Sequence, residues 1–324
     1  MAEARIPVDL FNPGQVFACL GFLEAADVLL GDAEGGFDWN DEADVCFVLR
    51  AAGEINPVEE VLVFLAGASL QRWGPVGYAD PPLKKKAKTS DTEDDTEEDS
   101  EESESSSAQG SLPTLNLEEA FPSPTSDRMS LPIRLISRNR PLVDIGHWAD
   151  GSSRESFKLY AGNRSADRIA RAMLFGVREK PKKNQTIGSL KTQGIAQLWK
   201  THRDELITRP FDVLTSMGGS FNFDPRGAWT AIDAGYSPND QSHEIAASPV
   251  VEFLAAWGLE HARPDEFQTR KVRYAVWGIE LPVVFARASL VGSIPAIPYR
   301  RFRFNLNLSG KNKVVTFSQE ETQS

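Results

Sequence analysis

Few residues in this 324-residue chain have the types and spacing that chemistry needs. In "DIGHWAD", Asp144, His147 and Asp150 follow one another at intervals of three, a set that could hold a divalent cation for metal-assisted phosphodiester hydrolysis. The same pattern also fits a turn whose polar groups satisfy one another. His202-Arg203-Asp204 has the order of a kinase catalytic loop, but Arg209 stands where that loop needs the Asn for a second magnesium. Gly310-Lys311 lacks the earlier glycine and the following hydroxyl of a phosphate-binding loop, and no G-x-S-x-G nucleophile turn occurs. His147, His202, His243 and His261 are scattered, and Cys19 and Cys46 sit singly in apolar runs, so they read as packing residues. The expectation is a non-catalytic protein without a cofactor, a metal-dependent nuclease at "DIGHWAD" being the weaker alternative.

Binding chemistry is better represented. From Arg154 to Arg203 there are 12 Lys/Arg and 3 Asp/Glu. A helix over 164–178 would place Arg164, Arg168, Arg171 and Arg178 within an arc of about 80°. Ala166, Ile169, Met173 and Val177 then take the opposite, packing side, and Phe175 joins the arginines as a stacking surface. The following "KPKKNQTIGSLK" brings Lys180, Lys182, Lys183 and Lys191 in a loop able to settle on a phosphate backbone. A solvated face would intersperse acids for pairing, and acids here are scarce. In "YRRFRFNLNL", Arg301 and Arg303 share one strand face and Phe302 and Phe304 the other, a pattern that fits an amphipathic edge and a binding platform equally well. Arg226, framed by Asp224 and Asp233 in "GGSFNFDPRGAWTAIDAGYSPND", is either the corner of a scaffold or, with Tyr236, a contact to nucleic acid.

These residues need positioning elements. Asn12-Pro13 opens a helix over "GQVFACLGFLEAADVLL", stopped by Gly31, with Glu24 and Asp27 as its narrow wet edge. "VCFVL" reads as a strand, and Asn56-Pro57 opens a second helix, giving an α/β segment over residues 1–78. Over 79–126 a lysine cluster gives way to ten acids between Asp91 and Glu104 with no apolar residue among them, which predicts a disordered linker. Such a tract either solubilises the chain or mimics nucleic acid over a basic groove. Residues 127–324 form a basic α+β region: strands at "LPIRLIS", "PLVDIG" and "SFKLY", helices near 164–178, 189–207 and 247–258, then strands at "VRYAVWGIEL", "VVFARASL", "YRRFRFNLNL" and "KVVTFS". The fold class is therefore α+β, short elements around a mixed core with a strand-rich C-terminal part.

The net charge of −11 conceals a partition. Residues 1–126 carry 7 Lys/Arg against 26 Asp/Glu, and the remainder carry 28 against 20, so phosphate polymers would meet the second part. No apolar run reaches the ~18–20 residues that span a bilayer, and no signal-peptide pattern opens the chain. A cytoplasmic protein without a membrane role is expected.

Four segments in order, "FNPGQVFACLGFLEAAD", "HWADGSSRESFKLYAGNRSADRIARAM", "FNFDPRGAWTAIDAGYSPND" and "RYAVWGIELPVVFARA", resemble the compact large-subunit proteins of type I-G (formerly I-U) CRISPR effector complexes, in the Csb group. The resemblance implies a subunit of an antiviral ribonucleoprotein in which CRISPR RNA pairs with target double-stranded DNA. It implies help in recognising the protospacer-adjacent motif, opening the duplex and recruiting the helicase-nuclease, with backbone subunits as neighbours. A stand-alone single-stranded RNA- or DNA-binding protein is the alternative.

Overall fold

The computed structural model describes residues 1–75, 114–117, 130–148, 157–160, 164–179, 181, 188–217, 219–227, 246–293, 296–309 and 311–321. Of the predicted acidic linker, only 114–117 falls among them. Three long helices begin the same way: a side-chain oxygen caps the free N–H groups and proline takes the first helical position. They are α1 (Pro13–Leu30), capped by Asn12, α2 (Pro57–Gly67), capped by Asn56, and α6 (Pro249–Gly258), capped by Ser248. Among the described residues four further helices are α3 (Ala166–Phe175), α4 (Ile195–Thr201), α5 (Arg203–Thr208) and α7 (Val283–Leu290).

Among the described residues three sheets lie around them. The first is antiparallel, β1 (Ala2–Pro7), β3 (Cys46–Ala51), β2 (Glu34–Asp38) and β14 (Leu281–Pro282) in that order. The second runs β5 (Thr114–Leu117), β4 (Ser69–Pro75), β6 (Ile133–Ile136), β7 (Val143–Ile145), with β4 and β5 parallel. The third runs β12 (Asp265–Gln268), β13 (Lys271–Trp277), β15 (Tyr299–Ser309), β16 (Asn312–Val315), with β17 (Gln319–Glu320) also on β15. Two short ribbons pair β8 (Val177–Arg178) with β9 (Leu190–Thr192) and β10 (Thr215–Ser216) with β11 (Ala246–Ala247). The α+β class is as the sequence predicts. One apolar cluster draws on both the 1–78 and 127–324 segments, and β14 crosses from the second to pair with Gly35 of the first.

At the centre, α1 packs along α6 with almost no space between the backbones. A Cβ on Gly21 would sit 1.9 Å from the Leu254 carbonyl oxygen, and one on Gly258 would sit 2.3 Å from that of Phe17. Only hydrogen fits at either place. Aromatic rings fill the layer between α1 and the third sheet, where Phe17 meets Tyr274 at 5.6 Å and Phe304 at 6.2 Å.

Several local expectations change. Helix α1 has the length and composition to cross a membrane, contrary to the apolar-run expectation, yet 83% of that window is buried inside the fold, as in a core helix. Glu24 is no wet edge: it is 3% exposed and holds Arg287 of α7 through two bonds of 2.5 and 2.6 Å. "VVFARASL" forms α7 instead of a strand. Val283, Ala286, Ser289 and Leu290 are its buried positions, a helical spacing that overrides the β-branched Val-Val start. The 189–207 helix is β9, α4 and α5 in succession, and residues 157–160 join no ladder, Phe157 having φ 54°.

Gly21→Ala should destabilise the chain by about 3 kcal/mol or more, because neither facing backbone can retreat. Gly67→Ala, where a Cβ meets nothing within 4 Å, should leave the melting temperature within experimental error. Thermal denaturation of the two variants side by side checks the contrast, and equal behaviour would contradict the close-approach explanation.

Candidate nucleic-acid interface

The basic segment begins at Arg164 and α3. Ser165 precedes the helix and Gly176 ends it, with φ 72° and an N–H that returns to the Ala172 carbonyl at 2.9 Å. A side chain at 176 would also strike the Thr192 carbonyl oxygen, 2.4 Å from an added Cβ. The helix is therefore shorter than the predicted 164–178 span, and the four-arginine stripe does not form as one helical face. Arg168 and Arg171 remain on α3, Arg164 lies before it and Arg178 has passed into β8. Phe175 is partly buried against the core instead of standing beside the arginines as a stacking surface.

What holds this region is a glutamine. Gln197 in α4 donates to the Phe175 carbonyl at 2.8 Å and accepts from the Gly194 N–H at 2.9 Å. One amide thus closes the end of α3 and the start of α4. Between them, β8 and β9 pair Val177 with Thr192 and Arg178 with Leu190.

Exposure sorts the predicted contacts. Arg168, Arg178 and Lys191 are exposed, whereas Arg164 and Arg171 are half-buried and engaged with neighbours. Arg178 donates to the Gly188 carbonyl at 3.2 Å, which leaves guanidinium nitrogens over for a phosphate. Lys180, Lys182 and Lys183 lie outside the described residues. Asp167, the one acid within α3, is 5% exposed.

Arg226 takes a different place. It sits in a 3-10 turn, Pro225–Gly227, and grips Asp224 through Nε at 2.9 Å and Nη2 at 2.7 Å, while Nη2 also reaches the Phe211 carbonyl at 3.0 Å. The Asp224 carboxylate is fully buried. It accepts further bonds from Asn12 Nδ2 at 3.2 Å and the Ser248 N–H at 3.1 Å, the caps of α1 and α6. These bonds give Arg226 a scaffold role, the first of its two sequence expectations; Asp233 and Tyr236 lie outside the described residues. Phe221 and Phe223, either side of Asn222 at φ 68°, stack on Trp148 and Phe157.

Below Asp224 lies Glu252, whose Oε1 accepts the Asp224 N–H at 2.8 Å and whose Oε2 has no partner among the described residues. Burial, with the Asp224 charge adding to it, raises the Glu252 pKa to about 8 despite the backbone donors that lower it. The carboxyl is neutral in the folded protein near pH 7.

"DIGHWAD" is divided in the same way. Asp144 forms a two-bond fork with Arg134 at 2.5 and 2.6 Å. His147 is 3% exposed, bonds the Ala256 carbonyl at 3.2 Å, and is driven to a pKa of about 3, chiefly by burial. Asp150 lies outside the described residues. Among the described residues no group of three or more His, Cys, Asp or Glu side chains converges as a metal site would. His202-Arg203-Asp204 spans the α4–α5 junction, with Arg203 paired to Glu59 and lying over Trp199 at 5.0 Å.

The sequence did not distinguish a further basic surface, on the third sheet. In the β13–β15 pairing Lys271 faces Asn305, Arg273 faces Arg303 and Ala275 faces Arg301. The signal was the alternation in "YRRFRFNLNL", ambiguous until a partner strand with its own cations was known.

Two outcomes test the Asp224 network. Asp224→Ala should cost about 3–5 kcal/mol, the loss expected when a buried pair is broken, read by urea denaturation. Glu252 is protonated when folded and ionises when unfolded above its ordinary value, so its contribution is full below about pH 4.5 and declines as pH rises toward 8. Glu252→Gln should accordingly flatten the fall in stability between pH 5 and 8, and an unchanged profile would contradict the neutral assignment. No protein-family model, curated protein or solved structure matches this chain.

Proposed function

We propose that the chain is a non-catalytic nucleic-acid-binding subunit of a CRISPR RNA-guided surveillance complex. The observation that carries the binding is the set of exposed cations Arg168, Arg178 and Lys191 on consecutive elements, in a stretch with 12 Lys/Arg and 3 Asp/Glu. Guanidinium and ammonium groups in this setting attract a phosphate backbone without reading sequence, and bound counterions are released as they do so. The surveillance-complex setting rests on the four-segment resemblance. In it, base pairing to CRISPR RNA reads the target while this subunit supplies charge and shape: it helps recognise the protospacer-adjacent motif, supports duplex opening and docks the helicase-nuclease. Its partners are the CRISPR RNA with its backbone subunits and the target double-stranded DNA.

Replacing Arg168, Arg178 and Lys191 together by Ala should weaken duplex binding at low salt. It should also make the slope of log affinity against log salt shallower by about 2.7, if each cation meets one phosphate. Unchanged affinity and slope would remove this surface from the proposal. Copurification of the tagged full chain with CRISPR RNA and the other effector subunits tests the setting, and repeated failure to associate would overturn it while leaving nucleic-acid binding intact.

A further inference from the structure

The outer face of the third sheet is built differently from the α3 region. Along β15 the even-numbered Phe302, Phe304 and Leu306 are buried, which turns Arg301, Arg303 and Asn305 outward. On the neighbouring strand, Lys271 and Arg273 flank the same register, so Arg273 stands directly opposite Arg303. Like charges directly across an antiparallel pair repel. One of the two is answered within the chain: Glu321 holds Arg273 through bonds of 2.8 and 3.0 Å. Arg303 is exposed, and neither its guanidinium nor that of Arg301 meets a carboxylate among the described residues.

Aromatic rings accompany these cations. Arg273 lies over Phe267 with its Cζ 4.2 Å from the ring centroid, and Arg301 lies over Tyr299 at 5.4 Å. Phe267 is 38% exposed, at the register shift between β12 and β13, so it presents ring surface to solvent beyond the arginine. Where α7 ends over the sheet, Gly292 and Ala275 leave a cleft of about 150 Å³, with Arg273, Arg301 and the acid Asp265, which pairs in register with Arg273, in its wall. Gly292 takes φ 75°, the left-handed region that favours glycine, and a Cβ there would make only ordinary contact with Arg301 Nη2 at 3.7 Å.

We infer that this sheet face is a second nucleic-acid surface, and that it takes a single strand. Arg301 and Arg303 are about 6.7 Å apart along the strand, a scale suited to successive phosphates of an extended chain. Phe267 and Tyr299, each already layered with a guanidinium plane, offer flat partners for unpaired bases. A polyanion laid across β15 would also answer Arg303, which meets no carboxylate among the described residues. Among the described residues the exposed cations of α3, β8 and β9 have no exposed aromatic beside them, Phe175 and Trp199 being half-buried, which suits a duplex backbone; the sheet has Phe267 exposed beside its cations, which suits bases free of their partners. The assignment concerns a different surface and a different form of nucleic acid from the function proposed above.

The test uses the full chain, a fluorescein-labelled (dT)20 and a duplex of the same length, in anisotropy titrations over a salt series. Arg301→Ala with Arg303→Ala should make the (dT)20 salt slope shallower by about 1.4. Duplex binding by that variant should stay as in the natural chain. Phe267→Ala should weaken (dT)20 about tenfold with an unchanged slope, because a stacking partner carries no charge. Matching near-ultraviolet circular dichroism and melting temperature would show that these exposed replacements leave the fold intact. Unchanged (dT)20 affinity and slope in the double variant would overturn the inference, as would a natural chain that binds duplex but not (dT)20. Poly-glutamate displacing (dT)20 at equal charge, together with indifference to Phe267→Ala, would instead mark a surface for acidic protein and equally overturn it. A natural chain that binds neither nucleic acid would sink the function proposed above as well.

Discussion

One buried carboxylate organises the molecule. Asp224 takes hydrogen bonds from Asn12 and from the Ser248 N–H, so it joins the starts of the two central helices, and Arg226 neutralises it. With both helix starts fixed at one point, the glycine contacts further along keep the axes close, and the crossing becomes a single rigid body. The third sheet depends on that body through Phe17 and its ring contacts, and the first sheet through β3 and β2, which pack on α1. Charge buried this deeply is costly unless every lone pair is answered. Here the answering groups are helix caps, so the same bonds that satisfy the carboxylate also specify where the helices begin.

Charge is handled in two opposite ways across the fold. Inside, Glu24 is paired with Arg287, and Glu252 beneath Asp224 is neutral. Outside, Arg168 on α3, Arg178 on β8, Lys191 on β9 and Arg303 on β15 stay exposed. This division follows from cost: an interior charge needs a partner from its own chain, whereas a surface cation can await one from another molecule. The surface excess therefore has a rationale in binding that the interior pairs do not share.

The starts of α1 and α2 were legible in the sequence because their signals are local: an Asn oxygen, then proline, in adjacent residues. The alternation of β15 was legible for the same reason. Helix α7 was not, since Val-Val-Phe has the composition of a strand and only the burial of Val283, Ala286 and Leu290 reveals its period. Strands β2, β12 and β17 were missed because "EGGFD", "DEFQ" and "QE" lack an apolar pattern and are held by their neighbours. The Arg226 setting was half legible. Its bond to Asp224 spans two residues, but Asn12 lies 212 residues from Asp224, and no spacing rule connects them. The length of α3 was misjudged because periodic arginines continue past Gly176, whose φ of 72° ends the helix.

The second sheet carries a topological consequence. Strand β4 has β6 antiparallel on one side and β5 parallel on the other, and β5 follows β4 in the chain. Neighbouring parallel strands cannot be joined by a tight turn; the chain must travel back the length of the strand, which takes a dozen residues or so. The acid-rich stretch therefore occupies a connection whose minimum length is imposed by geometry but whose maximum is nearly free, since doubling a loop costs only about 0.6 kcal/mol in closure entropy. The β4–β5 pairing thus sets a floor under the length of that segment and no ceiling.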